Sequence, residues 1–108
     1  MELYINEKCL SASGGSFIAK YSATLTVLQG TEATQVEVLS TFPKDPDSML
    51  LRATIEHIKR AVNSVLRPRR LSGVLTIRDL VIHDVDCKPP RYESATEKEL
   101  TRLLADYA

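Results

Sequence analysis

Arg67, Arg69 and Arg70 are bunched in the run Arg67-Pro68-Arg69-Arg70, where guanidinium groups on a short connection are free to project from the surface. Each guanidinium presents donors in a planar fork that matches a carboxylate or a phosphate, so anion recognition is the chemistry this run suits. The run lies in a stretch without acids: from His57 through Arg78 the only charged residues are Lys59, Arg60, Arg67, Arg69, Arg70 and Arg78. Seven acids and four bases lie on either side of that stretch, and the whole chain has no net charge. Charge is therefore segregated, and a local positive surface attracts anions whatever the molecular total, since screening limits each charge to roughly 8 Å at physiological salt. The candidate binding residues for an anionic partner are Lys59, Arg67, Arg69, Arg70 and Arg78. Arg60 is expected to be used within its helix, against Glu56 four residues earlier, and Lys59 to offset a helix dipole.

Other residues with chemistry in them form weaker patterns. His83-Asp84-Val85-Asp86-Cys87 holds four metal-ligand types, but on a strand His83 and Cys87 face one side and Asp84 and Asp86 the other, so no metal is expected. Cys9 and Cys87 lie at opposite ends without Cys-x-x-Cys spacing and read as free thiols. Ser16, Cys9, Cys87, His57 and His83 are the parts available for nucleophilic or acid–base catalysis, yet none sits in a recognisable elbow or pair. His57 lies beside the apolar face of a helix, near Thr54 and Ala61, as a structural histidine does. No catalytic residue and no cofactor is expected. Ser11-Ala-Ser-Gly-Gly-Ser16 lacks the Gly-Lys-[Ser/Thr] of a phosphate cradle and leads into a strand, so it reads as a hairpin loop. Lys88-Pro89-Pro90-Arg91 reads as a structural break or linker.

The elements that must hold these residues follow from periodicity. Leu3 and Ile5 alternate with polar neighbours as in a half-buried strand. Phe17, Ala19, Tyr21, Ala23, Leu25 and Val27 alternate with Lys20, Ser22, Thr24 and Thr26, the clearest strand in the chain. Val36, Val38 and Phe42 continue as its antiparallel partner, which makes residues 17 to 42 a long hairpin around Gln29-Gly30-Thr31-Glu32. Asp45-Pro46-Asp47-Ser48 starts a helix with Asp45 as its cap, and Leu51, Ile55, Ile58, Val62 and Val65 form its packing stripe as far as Leu66. A turn at Ser72-Gly73 leads to the apolar run from Val74 to Val85, a long buried strand with a bulge or bend at Arg78-Asp79. Ser94-x-x-Glu97 and Thr96-x-x-Glu99 are capping-box patterns, followed by Leu100, Leu103, Leu104 and Tyr107 at helical spacing.

The order β-β-β-α-β-α predicts an α+β two-layer sandwich, a mainly antiparallel sheet with two helices on one face, as a single domain over residues 1–108. At the level of element order, residues 1 to 107 resemble the β3αβα domain of a small-subunit ribosomal protein and of the fourth domain of elongation factor G, a long strand following the first helix in each. That resemblance implies work near RNA or the translation machinery. With 44% hydrophobic and 26% charged residues the composition is that of an ordinary globular domain. The acid-containing N-terminus does not suit a signal peptide and no apolar run nears the ~20 residues of a membrane span, so a cytoplasmic protein is expected. The sequence reads as a small non-catalytic binding or adaptor domain, acting on an acidic protein surface or on itself. The alternatives are an RNA- or ribosome-associated module binding through residues 59–78, and a small enzyme with a site between subunits.

Overall fold

A computed structural model describes residues 1–9, 17–30, 32–83 and 87–105. Six strands and two helices follow in the order β1 (Glu2–Cys9), β2 (Phe17–Gln29), β3 (Gln35–Val38), β4 (Thr41–Phe42), α1 (Ser48–Leu66), β5 (Leu71–Arg78), β6 (Leu80–Val81) and α2 (Pro89–Leu104), with a short 3-10 turn at Arg67–Arg69. The fold is α+β, a sheet layered on a pair of helices. Strands β1, β2, β5 and β3 lie side by side in that order. Two of their three pairings are antiparallel, and β3 runs parallel to β5.

The expected hairpin over residues 17 to 42 does not form. Strand β5 lies between β2 and β3, with Leu25 opposite Leu75 on one side and Val36 opposite Leu75 on the other. The reason is burial: Leu75 and Ile77 are wholly inaccessible, so the most apolar strand takes a position with neighbours on both edges. The α1 crossover then brings the chain back in the direction of β3, which makes that pairing parallel.

Ser72 and Gly73 are strand, not turn, and both are buried. A Cβ on Gly73 would lie 2.7 Å from Leu25 Cδ1 and 3.1 Å from Leu66 Cδ1, so the bare backbone is what lets the end of α1 close on the sheet. The expected long strand breaks after Arg78, where Asp79 takes φ 53°. Ser40 accepts a bond from Asp79 N at 2.9 Å, and the chain resumes as the parallel pair β4–β6. Asp79 thus supplies the bend in a left-handed conformation that an Asp side chain tolerates.

Helix α1 is capped by Asp47, not Asp45: its Oδ1 accepts from Leu50 N at 2.8 Å. Its buried residues are Thr54, Ile58, Ala61, Val62 and Leu66, a face rotated from the expected stripe because the helix packs on α2 as well as on the sheet. Leu51, Ile55 and Val65 are half-buried at its margin. Helix α2 begins at Pro89, ahead of both capping-box patterns. Prolines lack an N–H that the first turn cannot use, so Pro89-Pro90 starts the helix where a break or linker was expected. Ser94 and Thr96 are consequently interior, Ser94 Oγ donating to Pro90 O at 3.2 Å.

The core holds Leu3, Ile5, Leu25, Ile58, Leu66, Leu75, Ile77, Leu100 and Leu104. Polar contacts cross its layers: Tyr21 of β2 hydrogen-bonds Thr96 of α2 at 2.5 Å and stacks on Tyr92 with centroids 6.2 Å apart. The Tyr92 hydroxyl donates to the Val81 carbonyl. The loop expected at Ser11–Ser16, together with Thr31 and Tyr107, lies outside the described residues.

Candidate anion-binding site

The arginine run occupies the connection between α1 and β5 as a tight succession of caps. Arg67 closes α1 and its N–H reaches Asn63 O, while Pro68 occupies the first turn of the 3-10 segment. Arg70, with φ 56°, donates its N–H to Arg67 O at 2.9 Å and accepts from Gly30 N at 3.1 Å. That left-handed residue reverses the chain into β5 beside the end of β2. All three arginines are exposed.

They are not equivalent. Arg69 Nη1 donates to the carbonyl of Leu104, the last residue of α2, at 3.3 Å. There a positive charge meets the negative end of a helix dipole and one of its four unsatisfied carbonyls, so Arg69 fastens the two helix ends together. Arg67 instead lines an open groove with Arg60, Asn63, Ser64 and Pro68, a hollow of about 390 Å³. Arg60 and Arg67 are two helical turns apart and share one face. Among the described residues neither Arg60, Arg67 nor Arg70 makes an ion pair. The expected Glu56–Arg60 pair is thus open, and Arg60, assigned to its helix on sequence grounds, joins the groove. Its spacing of seven from Arg67 was the available signal. On the groove's α2 side Ser64 Oγ donates to Glu97 Oε1 at 2.7 Å, which occupies that carboxylate with a neutral donor.

The remaining predicted residues lie apart. Lys59 is half-buried and does not line the groove. Arg78 sits at the far end of β5, eight residues on from Arg70 and so ~26 Å away at strand rise. Its Nη2 pairs with Glu2 Oε2 at 2.8 Å and its Nη1 donates to Thr24 Oγ1 at 2.8 Å, on the sheet face away from the helices. Thr24 and the Arg78 guanidinium hold the Glu2 carboxyl below the usual carboxylate range. The structure thus gathers Arg67 with Arg60 on the groove, while Arg70, like Lys59, is not among its lining residues and Arg78 lies apart.

The other chemical candidates are built into the packing. Cys87 is buried, its Sγ 3.4 Å from Thr54 Oγ1, and burial pushes its thiol pKa up, away from the reactive thiolate. His57 Nδ1 lies 2.7 Å from Glu93 Oε1 and links α1 to α2. Cys87 N donates to His83 O at 2.9 Å; Asp84, Val85 and Asp86 lie outside the described residues. Among the described residues no three metal-ligating side chains converge, and no helix is long and apolar enough to cross a membrane. Comparison of the chain with protein-family models and with curated proteins finds no match to either.

Proposed function

We propose that this chain is a non-catalytic binding domain that takes an acidic segment of a protein partner on the groove of Arg60 and Arg67. One observation carries the reading: two exposed guanidinium groups, two turns apart on one helix face, flank the amide of Asn63 without an ion pair among the described residues. Such a pair can accept successive carboxylates from a peptide laid along the helix, each in bidentate geometry. A binding role is also favoured over a catalytic one by the use of Cys87 and His57 in helix packing, the first with its thiol held protonated. RNA is the weaker partner for this groove because its lining has no aromatic side chain on which a base could stack.

The test is fluorescence anisotropy with a labelled oligoglutamate peptide and, separately, an oligouridylate of equal charge. The peptide is expected to bind, and the Arg60→Glu/Arg67→Glu variant to weaken it at least about tenfold, two charge-assisted contacts being lost. Arg78→Glu is expected to leave peptide affinity unchanged. Undetected peptide binding, or affinity indifferent to the double reversal, would sink the proposal. Tighter binding of the oligouridylate with a steep salt dependence would move the function to RNA.

A further inference from the structure

Strand β1 is an edge of the four-stranded sheet, and of the devices that normally blunt an edge it has charged side chains but neither a proline, a bulge nor short length. It is eight residues long, contains neither proline nor glycine, and pairs with β2 through eight consecutive residues without a bulge. The opposite edge, β3, has only four residues. Met1 and Leu25 exchange both backbone bonds, each 2.8 Å. Because bonded and non-bonded pairs alternate in an antiparallel ladder, Leu3, Ile5 and Glu7 also direct their N–H and C=O groups at β2. The backbone groups of Glu2, Tyr4, Asn6 and Lys8 therefore point outward from the edge. Their side chains lie on the sheet face away from the helices, where Tyr4 is 69% exposed.

The order of those four residues is self-complementary. In an antiparallel pairing of β1 with β1 of a second copy about a two-fold at Ile5, Glu2 stands opposite Lys8, Tyr4 opposite Asn6, and each pair recurs on the other side of the dyad. Registers shifted by two residues place Glu2 opposite Asn6 or Tyr4 opposite Lys8 and match no opposite charges; a shift by one would turn bonded groups against non-bonded ones. The two-fold register also sets Ile5 against Ile5 in a close non-bonded pair and brings the two Tyr4 rings diagonally across the axis. Beneath the edge, a hollow of about 370 Å³ lies between β1 and α2, lined by Ile5, Glu7, Ala95, Lys98, Glu99 and Arg102 among others.

We propose that the protein forms a two-fold homodimer through β1, joining the two sheets into one of four strands from each copy, with Lys8 of one copy joining Arg78 and Thr24 on the Glu2 carboxylate of the other and so selecting the register. The charged residues that would repel a misaligned strand are the same ones that admit the aligned one. This surface is separate from the arginine groove, so the two proposals stand or fall independently.

Sedimentation equilibrium on the full chain between about 1 and 200 µM tests the dimer. Lys8→Glu places like charges opposite each other twice per dimer and is expected to weaken association about tenfold or more. Glu2→Lys does the same with the opposite sign. Mixing the two variants restores opposite charges at both positions, so a heterodimer as tight as the wild type is expected. Asn6→Pro removes an outward N–H that β2 does not use and is expected to dissociate the dimer while circular dichroism stays native. A wild type that remains monomeric throughout overturns the proposal, as does a dimer unaffected by Lys8→Glu or one abolished by Arg60→Glu/Arg67→Glu instead.

Discussion

Arg67 and Arg69 show how little residue type alone decides at the scale of a side chain. They flank one proline, yet Arg69 is spent on the Leu104 carbonyl while Arg67 opens on a groove. Arg69→Ala is therefore expected to lower stability by about 0.5–1 kcal/mol, one hydrogen bond and a helix-end charge interaction. Arg67→Ala should stay within about 0.5 kcal/mol of the wild type, as surface changes do. Urea denaturation of the two variants separates them, and equal midpoints would mean that the contact at α2 is without consequence. A second residue argues in the opposite direction. Thr34 is buried and its Oγ1 has no hydrogen-bond partner among the described residues. An unpaired buried hydroxyl costs about 1–3 kcal/mol, which an isosteric methyl does not incur. Thr34→Val is accordingly expected to raise the denaturation midpoint, and a fall would show that the hydroxyl does find a partner in solution.

At the scale of elements, Gly73 lets the end of α1 and β2 approach the backbone of β5 closely. It lies in β5 opposite Val27 and under Leu66, where α1 ends. Gly73→Ala drives a methyl against two leucine side chains and is expected to destabilise by about 1–3 kcal/mol, the usual cost of overpacking. At this chain length each kcal/mol lowers the melting temperature by about 4–8 °C, so a thermal scan reads the effect directly, and an unchanged melting temperature would mean that Leu25 and Leu66 yield freely. Read in the sequence, Ser72-Gly73 resembled a turn because glycine punctuates many turns; its role as a gap for a helix depends on Leu66, which no local pattern names. The alternation in β1 and β2 and the helical spacing of Ile58 and Val62 were legible, since each element's buried face is written at its own period. Strand order was not, because β5 displaces β3 from β2 through burial on both edges, a property of the assembled sheet. The groove was half legible: Arg67 stood out by its neighbours, whereas Arg60 was assigned to Glu56 by a spacing rule that permits that pair without requiring it.

Across the whole molecule the two layers are joined by tyrosine, and that gives stability a pH dependence at the alkaline end. Tyr21 hydrogen-bonds Thr96, Tyr92 donates to the Val81 carbonyl, and the two rings stack. Burial is the leading cause that raises both phenol pKa values well above the ordinary range. In the unfolded chain the same groups titrate near about 10. The sign follows: both phenols keep their protons in the folded state over a range where the unfolded state has released them, so unfolding is favoured as pH rises. Their contribution is complete below about pH 10 and declines above it, by up to about 1.4 kcal/mol per pH unit for each group. The buried Cys87 thiol acts in the same direction from lower pH, so melting temperature is expected to begin falling between about pH 8 and 9 and to fall increasingly steeply towards pH 11. Replacing Tyr21 by Phe together with Thr96 by Val removes one titrating group without leaving either partner unpaired, and is expected to lower the slope above about pH 10 by up to about 1.4 kcal/mol per pH unit. An unchanged slope in that variant would place the alkaline transition on other groups, and would mean that the tyrosine pair fastens helix to sheet by packing alone.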